Sequence, residues 1–254
     1  MTSVTPLVLD LDATLGVSGA VDDVIVVSAS VRALRRMSTG DRAELARRNL
    51  TAREAERYQA LAPFSKRQLE WLAGRVAAKR SVVELVARRG MTLVPHDIEI
   101  LQEQNAGRPH VTCAGVHVGI SHSFDVALGV AAPHVIGVDV ELVRPLAAEL
   151  VDYAFAASEL DVLGTDATAM VRLWTMKESF VKMLGLGIAA FDDLRLVSCK
   201  DGQPWWSVQG RIADELGARQ ARCWAGITSG YAIALTWPEP RLGVDRFDAR
   251  RLDG

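Results

Sequence analysis

The chain has 254 residues, 49% apolar and 24% charged, and its 29 Lys and Arg against 31 Asp and Glu leave a formal net charge of −2. A chain this apolar can bury one core or two, so disorder is excluded, and the charge balance excludes a basic body built to coat nucleic acid. No apolar run is long enough to span a bilayer, Met1-Thr2-Ser3-Val4 lacks a signal-type start, and Cys113, Cys199 and Cys223 form no C-x-x-C pair; a cytoplasmic chain with no membrane partner is expected.

Residues 1–22 are expected to form an amino-terminal arm. A β-branched strand is expected near 24–29, followed by helical pattern over 31–37, 41–48 and 52–89, the last opened by the capping signal Leu50-Thr-Ala-Arg-Glu54. Strands are expected near 97–103, 111–120 and 124–131, with the turn Gly107-Arg108-Pro109 between the first two. The strand 135–142, helices 146–163 and 167–184, and strands near 193–199, 205–209, 221–228 and 231–236 complete the order. Pro238-Glu-Pro-Arg241 is expected to end the last strand, because proline cannot donate to a ladder, leaving a tail over 238–254.

Read as two series, these elements repeat. Asp23–Ser30 lies over His134–Glu141, and Leu50–Glu54 over Phe155–Glu159. The Trp71–Lys79 helix lies over Trp174–Lys182, Gly107-Arg-Pro over Gly202-Gln-Pro, and Gly119–Leu128 over Gly226–Leu235. These matches in one order predict two copies of one unit, over 23–133 and 134–237. The expected fold is therefore α/β (α+β), a pseudo-dimer of two similar subdomains. Each is a small, mostly antiparallel sheet packed with a long helix, and the active site lies at the seam.

The copies differ where chemistry is expected. Gly137-Val-Asp-Val-Glu141 carries Asp139 and Glu141 two apart, hence on one face of a strand, where the first copy has Ser28 and Ser30. Paired carboxylates repel unless a cation or proton lies between them, so Mg²⁺ is the natural companion, Mn²⁺ being the other hard choice; a solvated edge strand is the bland alternative. In the 174–182 helix, Glu178 and Lys182 stand at i and i+4, and Lys177 and Lys182 are two of only five lysines in the chain. Such a pair is ordinary on a helix surface, but this stretch is otherwise apolar. Glu178 adds a third carboxylate to the metal set, and Lys182 adds a cation for phosphate. From the first copy, Arg57, Arg75, Arg108 and His122 are candidates to grip phosphate, each against the reading of a solvated arginine or a structural histidine.

These motifs resemble the Sfp-type 4′-phosphopantetheinyl transferases. The resemblance rests on Gly137-Val-Asp-Val-Glu141, on the W-x-x-K-E-x-x-x-K pattern of Trp174–Lys182, on Gly107-Arg-Pro109 and on Ser121-His122-Ser123, in order over about residues 50–236. The turn departs from the family's usual Gly-Lys-Pro. The resemblance implies transfer of phosphopantetheine from coenzyme A to a serine of an apo acyl or peptidyl carrier protein, with release of adenosine 3′,5′-bisphosphate. It implies Mg²⁺ on Asp139, Glu141 and Glu178, with Glu178 or a water on the metal as base and Lys182 stabilising the leaving group. Arg57, Arg75, Arg108, Ser121, His122 and Lys182 would bind coenzyme A, and a monomer would suffice.

Leu7-Val-Leu-Asp10-Leu-Asp12-Ala-Thr14 matches the D-x-D-x-T strand of haloacid-dehalogenase-type phosphatases, but over eight residues only and without that family's later acidic motif. A non-catalytic coenzyme A- or carrier-binding module would not be expected to keep Asp139, Glu141, Glu178 and Lys182 together.

Overall fold

The structure is a computed structural model that describes residues 8–10, 23–101, 107–200 and 202–240. Asp12 and Thr14 lie outside the described residues, as does the chain beyond 240. Strand β1 (Val8–Asp10) pairs antiparallel with β2 (Ile25–Ser30), so part of the expected arm belongs to a sheet.

Four helices follow β2. They are α1 (Val31–Arg36), α2 (Thr39–Asn49), α3 (Ala52–Gln59) and the long α4 (Lys66–Arg88). The helical pattern predicted over 52–89 is thus two helices. Pro63 interrupts it, and the Ser65 hydroxyl caps the restart by accepting from Gln68 N–H. Short strands β3 (Ile100–Leu101) and β4 (His110–Val111) pair with each other, and then β5 (His117–Ser123) and β6 (Val126–Ala132) form a hairpin. The first sheet has the order β1-β2-β6-β5, all antiparallel.

The second series opens with β7 (Gly137–Leu142) and helices α5 (Ala148–Ala154), α6 (Ala157–Leu163) and α7 (Ala167–Leu184). The hairpin β8 (Leu194–Lys200) and β9 (Gln203–Val208) follows, then a helix that the sequence reading lacks, α8 (Gly210–Leu216), then β10 (Arg219–Thr228) and β11 (Tyr231–Pro240). Its sheet has the order β10-β11-β7. Strand β11 continues through Pro238 and Pro240, contrary to expectation. Its pairing with β7 stops at Thr236, so the prolines lie where only the β10 side is paired, and a ring nitrogen facing away from a neighbour breaks no bond.

Three apolar layers hold these parts. Leu72, Ala73, Val76 and Ala77 of α4 pack against Ile25, Val27 and Ala29 of β2. Met176, Phe180 and Met183 of α7 pack with Ala234 of β11 and the β8 and α8 side chains. Between the two sheets lie Val26, Leu128 and Val130 from the first, and Val138, Val140, Ile233 and Leu235 from the second. Each long helix approaches its sheet over a glycine. A Cβ on Gly129 would stand 2.1 Å from Ala78 N, and one on Gly137 would stand 1.9 Å from Ser179 O. Gly129→Ala is therefore expected to destabilise the fold by about 1–3 kcal/mol, read as a lower urea midpoint; an unchanged midpoint would refute the close approach.

The duplication is visible in buried chemistry, and it corrects the register inferred from tryptophan. Lys79 Nζ donates to Asn49 O (2.6 Å) and to Glu54, whose Oε1 accepts from Ile100 N–H (3.2 Å) and whose Oε2 accepts from Thr51 N–H (3.0 Å). Lys177 Nζ donates to Ala154 O (2.7 Å) and to Glu159 Oε2 (2.9 Å), while Glu159 also accepts from Leu196 N–H (2.8 Å) and Ala156 N–H (2.9 Å). The wiring is the same, so Lys79 corresponds to Lys177, not to Lys182. In this register Glu178 and Lys182 fall over Arg80 and Glu84, which are exposed on α4. Each lysine also holds the carbonyl at the end of a preceding helix, which is why the pattern over 146–163 breaks into α5 and α6. Burial lowers the pKa of both lysines and the partner glutamate offsets part of that.

The strands of the two copies are also offset from the register that the sequence suggests. Ser28 pairs with Leu128 on the face between the sheets, and Ser30 caps α1, accepting from Ala33 N–H at 3.1 Å. Asp139 pairs with Ala234 on the face toward α7. A shift of one residue moves every side chain to the other face, so Ser28 is not its counterpart. The first-half strand residues that face a helix are the apolar Ile25, Val27 and Ala29. The carboxylates therefore belong to the second half alone.

Candidate active site

Strand β7 and helix α7 meet beneath the edge of β5. Asp139, 1% exposed, is held by Lys182 Nζ at 2.5 Å and by Ser121 Oγ at 2.8 Å, both on Oδ1, while its Oδ2 is buried with no partner. Lys182 Nζ is also 3.6 Å from Glu178 Oε2, one turn back on α7. Glu141, two residues on from Asp139, accepts from Ser123 Oγ at 2.7 Å. The helix ends two residues beyond Lys182, at Leu184, because Gly185 adopts a left-handed conformation (φ 75°).

The electrostatics follow from crowding carboxylates out of water. Burial raises the Glu141 carboxyl above the usual range, the Ser123 hydrogen bond works against this, and Asp139 adds to it. Burial likewise raises Glu178, with Lys182 lowering it and Asp139 raising it. For Lys182, burial opposes the charge, but Asp139 and Glu178 more than offset it and its pKa is raised. Lys182 is thus a fixed ammonium in an acidic recess. A hard cation fits the same donors: an orphaned carboxylate oxygen on Asp139 and two carboxyls whose ionisation a positive charge would favour. Among the described residues no three such side chains form a cage unaided. A cation here would complete its shell from phosphate oxygens and water.

The recess opens into a cavity of about 270 Å³ lined by the Gly107-Arg108-Pro109 turn, Gly119 and Ile120 of β5, Glu178 and Lys182, and the 185–188 segment after α7. Arg108 lies over the end of α7 and donates to Met183 O at 3.2 Å, a cation set against the negative end of a helix. Strand alternation divides Ser121-His122-Ser123. The serines face β7, whereas His122 faces α4, with Nδ1 3.8 Å from Glu70 Oε1. Burial lowers the pKa of His122; Glu70 works to raise it, and Lys182 and Lys66 to lower it.

Asp139, Glu141, Glu178, Lys182 and Ser121 are therefore brought together, with Arg108 along the cavity and His122 one face away. Arg75 and Arg57 are not brought to the carboxylates. Arg75 is 3% exposed, 3.7 Å from Glu54 Oε1, with its guanidinium over the Trp71 ring. Burial, with Glu54 working against it and Arg57 on α3 adding to it, pushes its pKa down to about 10. Arg57 is exposed on α3; the sequence signal of Arg75, an arginine on an amphipathic helix, is equally that of a buried ion cluster. Two neighbours went unassigned in the sequence. Glu70 shows only an ordinary i,i+4 pairing with Lys66, while Ser123 repeats the two-residue spacing of Asp139 and Glu141, which could have marked it.

A duplicated α+β scaffold with an acidic seam, an internal ammonium and an adjoining cavity has the groups that an enzyme acting on phosphate esters would need. A family model described as the 4′-phosphopantetheinyl transferase superfamily matches residues 135–236, the half that carries Asp139 through Lys182. Over 109 residues the chain is 35% identical to the holo-[acyl-carrier-protein] synthase of Bacillus subtilis strain 168, covering 40% of this chain and 88% of that one. It is 28% identical over 174 residues to the 4′-phosphopantetheinyl transferase Sfp of the same strain, covering 65% of this chain and 74% of Sfp. It is 31% identical over 134 residues to the 4′-phosphopantetheinyl transferase psf-1 of Bacillus pumilus, covering 45% of this chain and 58% of psf-1. The chain belongs to the 4′-phosphopantetheinyl transferase superfamily. No helix among the described residues is long and apolar enough to cross a membrane.

Proposed function

We propose that the protein transfers 4′-phosphopantetheine from coenzyme A to a serine hydroxyl of an apo acyl or peptidyl carrier protein, releasing adenosine 3′,5′-bisphosphate. The observation that carries this reading is the Asp139–Lys182–Glu178 cluster at the mouth of a cavity that Arg108 lines. The serine oxygen forms a bond to the β-phosphorus of the pyrophosphate as the bond from that phosphorus to the bridging oxygen breaks. Glu178, whose carboxyl is raised above its ordinary range by burial and so made a better base, accepts the serine proton. Lys182 meets the charge that develops on the leaving phosphate, and Arg108 and His122 bind the nucleotide end. Asp139, Glu141 and Glu178 would hold Mg²⁺ or Mn²⁺, whose charge would offset that of the phosphate oxygens.

Mass spectrometry of an apo carrier incubated with the protein, coenzyme A and Mg²⁺ should show the gain of one phosphopantetheine, abolished by a chelator. No gain across fatty-acid, polyketide and peptide carriers, together with hydrolysis of a chromogenic phosphate ester, would overturn the reading in favour of a phosphatase.

A further inference from the structure

Strands β5 and β7 run side by side at the seam, yet they belong to different sheets. Serine hydroxyls span the gap in a repeated pattern. Ser121 Oγ accepts from Val140 N–H at 3.3 Å and donates to Asp139 Oδ1 at 2.8 Å; Ser123 Oγ accepts from Leu142 N–H at 3.2 Å and donates to Glu141 Oε2 at 2.7 Å. Each serine thus takes the amide of one β7 residue and gives its proton to the carboxylate of the residue before. A hydroxyl has one proton and two lone pairs. The amide fills a lone pair, so the proton has one direction left, toward the carboxylate. On Ser121 the second lone pair faces Lys182 Nζ at 3.4 Å, which leaves that hydroxyl nothing with which to bind coenzyme A.

We propose that Ser121 and Ser123 are positioning residues that aim the two β7 carboxylates, so that the first half of the chain sets the divalent-cation affinity of the second. Each hydroxyl fixes one carboxylate oxygen and thereby the side-chain torsion, and on Asp139 the other oxygen, Oδ2, is left bare. The inference rests on the reading of Asp139 and Glu141 as metal carboxylates. Partners of ligands that act in this way are typically worth about 10–100-fold in metal affinity.

The test is Mn²⁺ titration of the full chain saturated with coenzyme A, followed by the electron paramagnetic resonance of free Mn²⁺. Ser123→Ala is expected to weaken Mn²⁺ binding about 10–100-fold, and Ser123→Thr, which keeps the hydroxyl, to restore most of it. Coenzyme A affinity without metal should not change in either. Because Ser123→Ala also strips a partner from Leu142 N–H, a lower melting temperature alone does not support the proposal. Unchanged Mn²⁺ affinity in Ser123→Ala, alongside a loss in Glu141→Gln, overturns it and leaves the metal reading standing. Equal Mn²⁺ binding by wild type and Glu141→Gln overturns both.

Discussion

Glu178→Gln is expected to slow carrier modification by about 10²–10⁴-fold, measured as phosphopantetheine gained per minute at saturating coenzyme A and Mg²⁺. The substitution keeps the shape of the side chain and removes a proton acceptor and a negative charge from the recess that Asp139 and Lys182 share. It should not cost stability. Burial raises the folded-state pKa of Glu178 above its ordinary value of 4.5, so the folded state holds that proton more tightly than the unfolded chain does. The contribution of this group to stability therefore falls as pH rises from about 4.5 through the raised value, and at neutral pH its charge is a net liability. The glutamine variant lacks this decline and should melt at or above the wild-type temperature at pH 7. A variant with undiminished turnover would remove Glu178 from the chemistry.

Lys177→Met is expected to be the most damaging replacement for the fold, at about 3–5 kcal/mol, because it leaves the Glu159 carboxylate buried without its counter-charge. Lys177 and Glu159 are each 0% exposed. The double variant Lys177→Met/Glu159→Leu should recover only part of the loss. Glu159 also accepts from Ala156 and Leu196 N–H, and each buried amide left bare costs about 1–3 kcal/mol. Since Lys79 donates to Glu54 and to the Asn49 carbonyl, and Glu54 accepts from the Ile100 amide, in the same way, Lys79→Met should fall in the same range by chemical denaturation. Melting of Lys177→Met at the wild-type temperature would show that the pair does not anchor α7. Thus one lysine of the Trp174–Lys182 motif secures the helix from behind and the other faces the cavity.

The order of elements was legible because it rests on local signals: alternation in β5 to β7, capping at Thr51, glycine after Lys182. The motif residues Asp139, Glu141, Glu178 and Lys182 were legible because their spacing fixes a shared face. What failed was registration between the two copies. Tryptophan and lysine eight apart match on any amphipathic helix, whereas the true equivalence of Lys79 and Lys177 is defined by Glu54 and Glu159, each supplied by another helix. In the strands, Ser28 could be laid over Asp139 because a one-residue slip leaves a β-branched run looking the same while turning it over. The surroundings of Arg75 were not legible either: a sequence shows that an arginine lies on a helix, but not that Trp71 and Glu54 pack around it.

The serine bridge between β5 and β7 also bears on how the chain solubilises itself. An isolated second half would present β7 as an open edge, with Val138 and Val140 uncovered and the Val140 and Leu142 amides seeking partners, which is a template for strand addition by another chain. In the intact chain Ser121 and Ser123 occupy those amides without extending the ladder, so the sheet stops there. Expressed apart, the two halves would be expected to precipitate by edge pairing rather than to find each other. The polypeptide link between β6 and β7 thus keeps the strand that covers this edge in the same chain as the edge itself.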